Sequence, residues 1–335
     1  MGLKEVLQTC IQDLLAMKMS LIMWLLTVTW IWYLITGLSI IRLKAGITFI
    51  MLLVLTVDVW MYIIHQHHHK QGNLRSMEWY QIAGTVFKME WTPGDEWRLF
   101  QTEQTERFDF GVCFEGSENS ACGVRKTDLG QMEYMLVNGT EILLVDGGWS
   151  RGRLVFQEDT VKAEYLVMQM YYANAVQRGF ILFHSSLISV SGCGLMFIGP
   201  SGIGKTTQAE LWNKYRDARI INGDAVFAQE KQGRVLGWGT PWHGSSPYCE
   251  NASVPVSALI VLRQAKKNTI RELSGFKKVT AVSRHVIYPT WLENGMELCL
   301  ETLDHLLTAL PVYELSCRPD EDAVRLTEDK IFGNL

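Results

Sequence analysis

Gly199-Pro200-Ser201-Gly202-Ile203-Gly204-Lys205-Thr206 is the stretch on which the reading of this chain turns. An apolar run, Leu195 to Ile198, precedes it, and Thr207 to Tyr215 follows with the composition of a helix. Strand, glycine loop and helix in that order form the context in which the spacing G-x-x-x-x-G-K-T binds phosphate. The glycines let successive backbone N–H groups, and the N-terminus of the next helix, point at phosphate oxygens. Lys205 then reaches the β- and γ-phosphates as a point charge, and the Thr206 hydroxyl is a ligand for Mg²⁺. The phosphate-binding set therefore runs from Gly199 to Thr206, with Thr207 beside it on the helix.

Downstream, Arg219-Ile-Ile-Asn222-Gly223-Asp224 reads as a strand ending in an acidic turn. An acid at such a strand end holds Mg²⁺ or its water, or takes the proton of an acceptor hydroxyl, which makes Asp224 the first candidate for both tasks. Upstream, Thr160 to Gln177 carries apolar residues in the pattern of a buried helix. Two strands, Phe180 to Phe183 and Leu187 to Val190, then lead to the loop strand.

The chain has 335 residues, enough for roughly two domains. Its net charge of −4 comes from interspersed acids and bases, which gives no stripe for nucleic acid. The seven cysteines are scattered and form no C-x-x-C pair, so neither a disulfide framework nor a zinc ribbon is expected. A reducing compartment fits that usage.

The N-terminal residues have a different character. Residues 3–17 place apolar side chains at helical spacing, as an amphipathic helix does on a bilayer or on protein. Ser20 to Ile41 holds no charge, and Ala45 to Ile64 holds only Asp58; each run is long enough to cross a ~30 Å hydrocarbon core. Together they predict a transmembrane helical hairpin, the rival reading being a buried hairpin within protein. Basic residues flank the spans on both sides, so charge counting does not orient them. A nucleotide site does: it requires the remainder of the chain in the cytoplasm. Asp58 marks either a polar contact within the membrane or a helix contact without chemistry. His65, His67, His68 and His69 lack ligand geometry by themselves and read as a solvated linker.

From 71 to 158, short alternating runs rich in Val, Phe, Tyr and Trp are broken by Gly, Asn, Asp and Pro, the pattern of a small β-rich domain. Its clearest hairpin is Tyr134 to Val137, a turn at Asn138-Gly139, and Thr140 to Val145. The predicted organisation is thus residues 1–70 as amphipathic helix and membrane hairpin, 71–158 as the β-rich domain, and 159–335 as an α/β phosphate-binding domain.

With Phe183-His184-Ser-Ser-Leu-Ile-Ser-Val-Ser-Gly-Cys-Gly194, the glycine loop and Asp224 in view, the region from about Glu164 to Val324 resembles the HPr kinase/phosphorylase family. The similarity is greatest to the HPr-kinase-like serine kinases found beside ribosomally made peptides, including lasso peptides. Gly239-Thr-Pro-Trp-His-Gly244, Val254 to Leu262 and Pro311 to Asp320 also carry it. The resemblance implies a P-loop kinase fold akin to phosphoenolpyruvate carboxykinases. It further implies transfer of the γ-phosphoryl of ATP, with Mg²⁺, to a serine hydroxyl of a peptide or small protein. His184 matches a histidine at the active site, so Lys205, Asp224 and His184 become the catalytic set, with Thr206 and Asp224 on the metal. A homo-oligomer is compatible with the resemblance. Two positions depart from the family: Gly223-Asp224 stands where HPr kinases carry two adjacent aspartates, and Thr207 where they carry glutamate. Both point away from a bifunctional enzyme acting on HPr; one carboxylate must serve alone, or Asn222 must help.

His243 and Glu250 read either as contacts to substrate or a second Mg²⁺, or as ordinary loop residues; Trp242 either stacks on a ligand or packs. Rival functions are a kinase of free serine or another small molecule, and a membrane-tethered ATP sensor without transfer activity.

Overall fold

The computed structural model describes residues 77–114, 132–155 and 160–333. The amphipathic helix, the membrane hairpin, Asp58 and the histidine run lie outside them. Among the described residues no helix is long and apolar enough to cross a membrane. Residues from Leu74 onward form one compact unit of mixed α/β structure.

The first sheet has six strands: β1 (Glu78–Ile82), β2 (Thr85–Met89), β3 (Phe110–Phe114), β4 (Met132–Asn138), β5 (Glu141–Asp146) and β6 (Arg151–Val155), in the order β1-β2-β3-β6-β5-β4. A 3-10 turn, Asp95–Phe100, leads from β2 towards β3 and buries Trp97 and Phe100. The hairpin forms one residue later than predicted. Asn138 pairs with Glu141 inside the ladder, so Gly139-Thr140 makes the turn, with Gly139 alone at positive φ, 65°. Asn138 is held in the strand by its Nδ2, which donates to Lys162 O.

Helix α1 (Thr160–Val176) follows, with Ala163, Leu166, Val167, Met170, Tyr171 and Tyr172 among its buried residues. The second sheet contains β7 (Phe180–Val190), β8 (Cys193–Ile198), β9 (Arg219–Asn222), β10 (Ala225–Lys231), β11 (Arg234–Trp238), β12 (Ser253–Gln264), β13 (Thr269–Leu273), β14 (Val286–Ile287) and β15 (Val312–Cys317). Its main path is β11-β10-β7-β8-β12-β15-β13, with β9 and β14 on β7 and a further pairing of β11 with β12. The two predicted strands around His184 are one strand, β7, which pairs with β10 and β14 early and with β8 and β9 late. Helices α2 (Lys205–Arg216), α3 (Gly275–Ser283), α4 (Gly295–Ala309) and α5 (Glu321–Phe332) complete the unit.

Strand β12 runs parallel to both β8 and β15. The carboxyl ends of these three strands therefore emerge on one edge, where open α/β sheets place ligands. One apolar cluster lies between the sheets, joining Tyr80, Phe87 and Phe110 to Tyr171, Phe227 and Trp242. A second, around Phe197, Trp212, Ile260, Leu315 and Val324, lies under α2 and α5. Cys193, Cys249, Cys299 and Cys317 are free, whereas Cys113 in β3 is disulfide-bonded, a pairing the scattered spacing did not predict.

Candidate active site

The glycine loop leaves β8 at Ile198, and helix α2 begins at Lys205. Gly204 caps that helix at φ 110°, in a region L side chains rarely adopt. It offers no side chain to the helix's first N–H groups, so these stay available to an anion in front of the loop.

Three successive residues of β7 gather the site. His184 N donates to His285 O at 3.0 Å, Ser185 N to Asp224 O at 2.8 Å, and Ser186 Oγ to Lys205 O at 3.1 Å. One strand thereby fixes the start of α2, the acidic turn and the β14 turn relative to one another. The sequence places Lys205, His184 and Asp224 far apart, and the fold brings them together. His184 Nε2 lies 3.0 Å from Lys205 Nζ and 2.9 Å from Asp224 Oδ1. One ring nitrogen cannot donate to the carboxylate and accept from the ammonium at once. With its proton towards Asp224, His184 completes a charge-assisted bond to that acid. Lys205 Nζ then turns to the loop carbonyls of Gly199 and Pro200, at 3.3 and 3.4 Å.

These contacts set the protonation states. The hydrogen bond from His184 holds the Asp224 carboxyl below the ordinary aspartate range; burial opposes this, and the charges of His184, Lys205 and His243 support it. Burial lowers the Lys205 ammonium, with Asp224 pulling the other way. His285 is also lowered, first by burial and then by Lys205, His184 and Arg284, which favours its neutral form.

The acidic turn is built by Asn222, whose buried side chain is fully engaged. Its Oδ1 accepts from Asp224 N at 2.8 Å and Ala225 N at 3.0 Å, and its Nδ2 donates to Thr240 O at 2.9 Å. Asn222 therefore positions Asp224 and does not stand in for a second acid. Nor is there room for one at 223: a Cβ on Gly223 would meet Ser246 Oγ at 1.8 Å. Gly244 crosses the other carboxylate oxygen so closely that a Cβ there would lie 2.6 Å from Asp224 Oδ2. The single carboxylate is a packed feature of the loop from Gly239 to Glu250.

The ambiguous residues of that loop now separate. Trp242 packs, edge-on to Trp97 at 5.5 Å and tilted on Tyr171 at 5.3 Å. Glu250 pairs with Arg219. His243 lies near enough to Asp224 to act on it electrostatically, and its Nδ1 meets Ser246 O. Sequence reading missed Thr240, Ser246, Gly244 and His285. Thr240 and Gly244 lie within Gly239–Gly244, a stretch whose role only the fold reveals; His285 carries no local signal at all.

Thr206 Oγ1 lies 3.5 Å from Gly223 O, so its hydroxyl overlooks the acidic turn. Thr206 and Asp224 offer two hard oxygen donors, which suits Mg²⁺, an ion that takes its remaining ligands from phosphates and water. Among the described residues no group of three or more His, Cys, Asp or Glu could hold a metal alone.

No protein-family model matches this chain, and no curated protein does. Among solved structures, it is similar to the Hpr(Ser) kinase/phosphatase from Coxiella burnetii, at 8% identity and a TM-score of 0.28, over 44% of this chain and 95% of that one. A likeness of that size carries no residue's role from one chain to the other.

Proposed function

We propose that this chain is an ATP-dependent phosphotransferase that moves the γ-phosphoryl group to a hydroxyl, specifically a serine of a peptide or small protein of the ribosomally made, lasso type. One observation carries the reading: Lys205 Nζ, His184 Nε2 and Asp224 Oδ1 lie in sequence at the mouth of the glycine loop, 3.0 and 2.9 Å apart.

Phosphoryl transfer asks little covalent work of a protein and much positioning and charge neutralisation. Loop amides and Lys205 offset the charge on the transferring group. Asp224, ionised through neutral pH and fixed by His184 on Oδ1, orients the acceptor hydroxyl and takes its proton as the new O–P bond forms and the bond to the leaving diphosphate breaks. Mg²⁺, held by Thr206 and Asp224, would add charge neutralisation at the phosphates.

Full-length protein with Mg-ATP and a panel of serine-ended peptides, HPr and free serine, read by mass spectrometry, tests this. Phosphoryl addition to a peptide that is lost in Lys205→Ala supports it. Addition to free serine alone moves the reading to a small-molecule kinase, and ATP binding without any transfer moves it to a sensor.

We also place the chain at the cell membrane through residues 20–64, with the P-loop unit cytoplasmic, where anchoring raises its effective concentration near a membrane-bound partner. The disulfide at Cys113 weighs against a reducing compartment. Thiol labelling of Cys113 in intact cells decides between them: a reduced thiol supports the cytoplasmic side, and an oxidised one overturns it.

A further inference from the structure

The glycine loop accounts for phosphates, but a nucleotide also needs room for its base and sugar. We propose that the nucleoside end sits in a cleft at the carboxyl ends of β12 and β15, closed on one side by α5. The inference rests on the phosphotransferase reading and deepens it.

Strands β8, β12 and β15 run parallel, with Met196 beside Leu259 and Leu259 beside Val312. Their carboxyl ends deliver, in order across the sheet, the glycine loop, the turn after Gln264 and the segment after Cys317. The catalytic groups lie on the opposite flank of β8, since His184 is on β7 and Asp224 follows β9, which pairs with β7. A phosphate chain whose transferring end faces Asp224 therefore leads across the loop towards β12. Gln264 marks the junction, its Nε2 lying 3.5 Å from Ile203 O of the glycine loop.

The turn that follows Gln264, the segment after Cys317 and α5 together form an open cleft of about 490 Å³, lined by Lys266, Lys267, Asn268, Arg318, Arg325 and Leu326. Its volume falls within the range of about 300–1,000 Å³ usual for small-molecule sites. Asn268 builds the wall: its Nδ2 donates to Asp320 Oδ1 at 2.7 Å and its Oδ1 accepts from Arg318 N at 2.8 Å. Asp320 in turn caps α5 by accepting from Ala323 N. The α5 wall also carries Asp322 and Asp329; Arg325 pairs with Asp322 at 2.9 Å and Arg318 with Asp320 at 2.8 Å, which fixes both guanidinium planes at the rim.

That mixture suits a nucleoside next to phosphates. Guanidinium planes stack on bases, Leu326 gives an apolar contact, carboxylates accept from ribose hydroxyls, and the lysine ammoniums donate to acceptor atoms of the base and sugar.

The test compares ATP with inorganic tripolyphosphate, by calorimetry on the full-length protein. Leu326→Trp fills the cleft. Lys267→Ala, on an exposed turn, removes one wall without disturbing packed residues and keeps the test valid if the tryptophan variant misfolds. Expected is a loss of ATP affinity of about tenfold in the first and about threefold in the second, with tripolyphosphate binding unchanged in both. Loss of both ligands in equal measure, or undiminished ATP binding, overturns the cleft while leaving the glycine loop intact. If neither ligand binds the wild-type protein, or Lys205→Ala leaves both unaffected, the phosphotransferase reading falls and the cleft with it.

Discussion

At the scale of single residues, His184 is the joint of the site, because Asp224 owes its low pKa first to that imidazole. A depressed carboxylate keeps its proton-accepting form until the pH drops through the depressed value. Removing the donor raises that value. His184→Ala is therefore expected to move the acid limb of the kcat/KM profile to higher pH, as well as slowing transfer by about 10²–10⁴-fold, the span of lost acid–base help. His184→Gln, which can still donate to Asp224, is expected to restore the position of the limb before it restores the rate. An unmoved limb in the alanine variant would show that His184 does not set the state of Asp224. Gly223 makes a separate case, since Ser246 Oγ fills the space a Cβ would need. Gly223→Asp is expected to destabilise the fold by about 1–3 kcal/mol in urea titrations, as overpacking does. Pairing it with Ser246→Gly is expected to recover most of that loss. Additive losses in the double variant would mean that the two positions do not compete for space.

At the scale of elements, legibility followed how local the cause was. The glycine loop and α2 could be read because spacing, an apolar strand and a helix start lie within one short window. Asp224 could be read as the end of a strand. Strand β7 reads as two strands in the sequence because His184, Ser185 and Ser186 interrupt its apolar run, and those polar residues are the ones that bind the site together. The hairpin turn slipped by a residue because Asn138 is held by Lys162 O, a contact from another element. Glu164 carries no local signal, since nothing in the neighbouring sequence shows that this helical glutamate is half-buried against Trp97. Burial pushes its carboxyl up to about 7 from 4.5, with Glu96 adding and the Trp97 Nε1 donor, 2.9 Å away, opposing. Between those two values the folded protein holds a proton that the unfolded chain has released. Stability must then fall as the pH rises through this window and level off above it. Glu164→Gln keeps an acceptor for Trp97 and cannot ionise. We expect it to match the wild type near pH 4 and to exceed it near pH 8 by about 1–3 kcal/mol. Parallel stability curves for the two proteins would show that Glu164 is ionised in the fold.

At the scale of the whole molecule, the sequence suggests a β-rich domain before residue 159 and a P-loop domain after it, and the apolar cluster crosses that boundary. Tyr171 in α1 faces Phe87 at 5.8 Å and Phe110 at 6.3 Å, and its hydroxyl donates to Ile82 O at 2.8 Å. Trp97 meets Trp242, a residue of the loop that covers Asp224. Arg178 ties the end of α1 to Asp109 at 2.9 Å and to Thr85 Oγ1 at 2.6 Å. Aromatic pairs of this kind contribute about 0.5–1.5 kcal/mol each beyond area burial, and the area itself more. With coupling of that size, neither sheet has a complete core alone, and the two should unfold together. Phe87→Ala, buried wholly in the first sheet, is expected to cost about 3–5 kcal/mol. Hydrogen exchange on the full-length protein reads where that loss appears. If the sheets share one core, amides of β2 and of β10 lose protection by the same free energy. If protection falls in β2 while β10 keeps its own, the boundary before residue 159 separates two independently stable domains, and the contact between Trp97 and Trp242 is a docking contact between them.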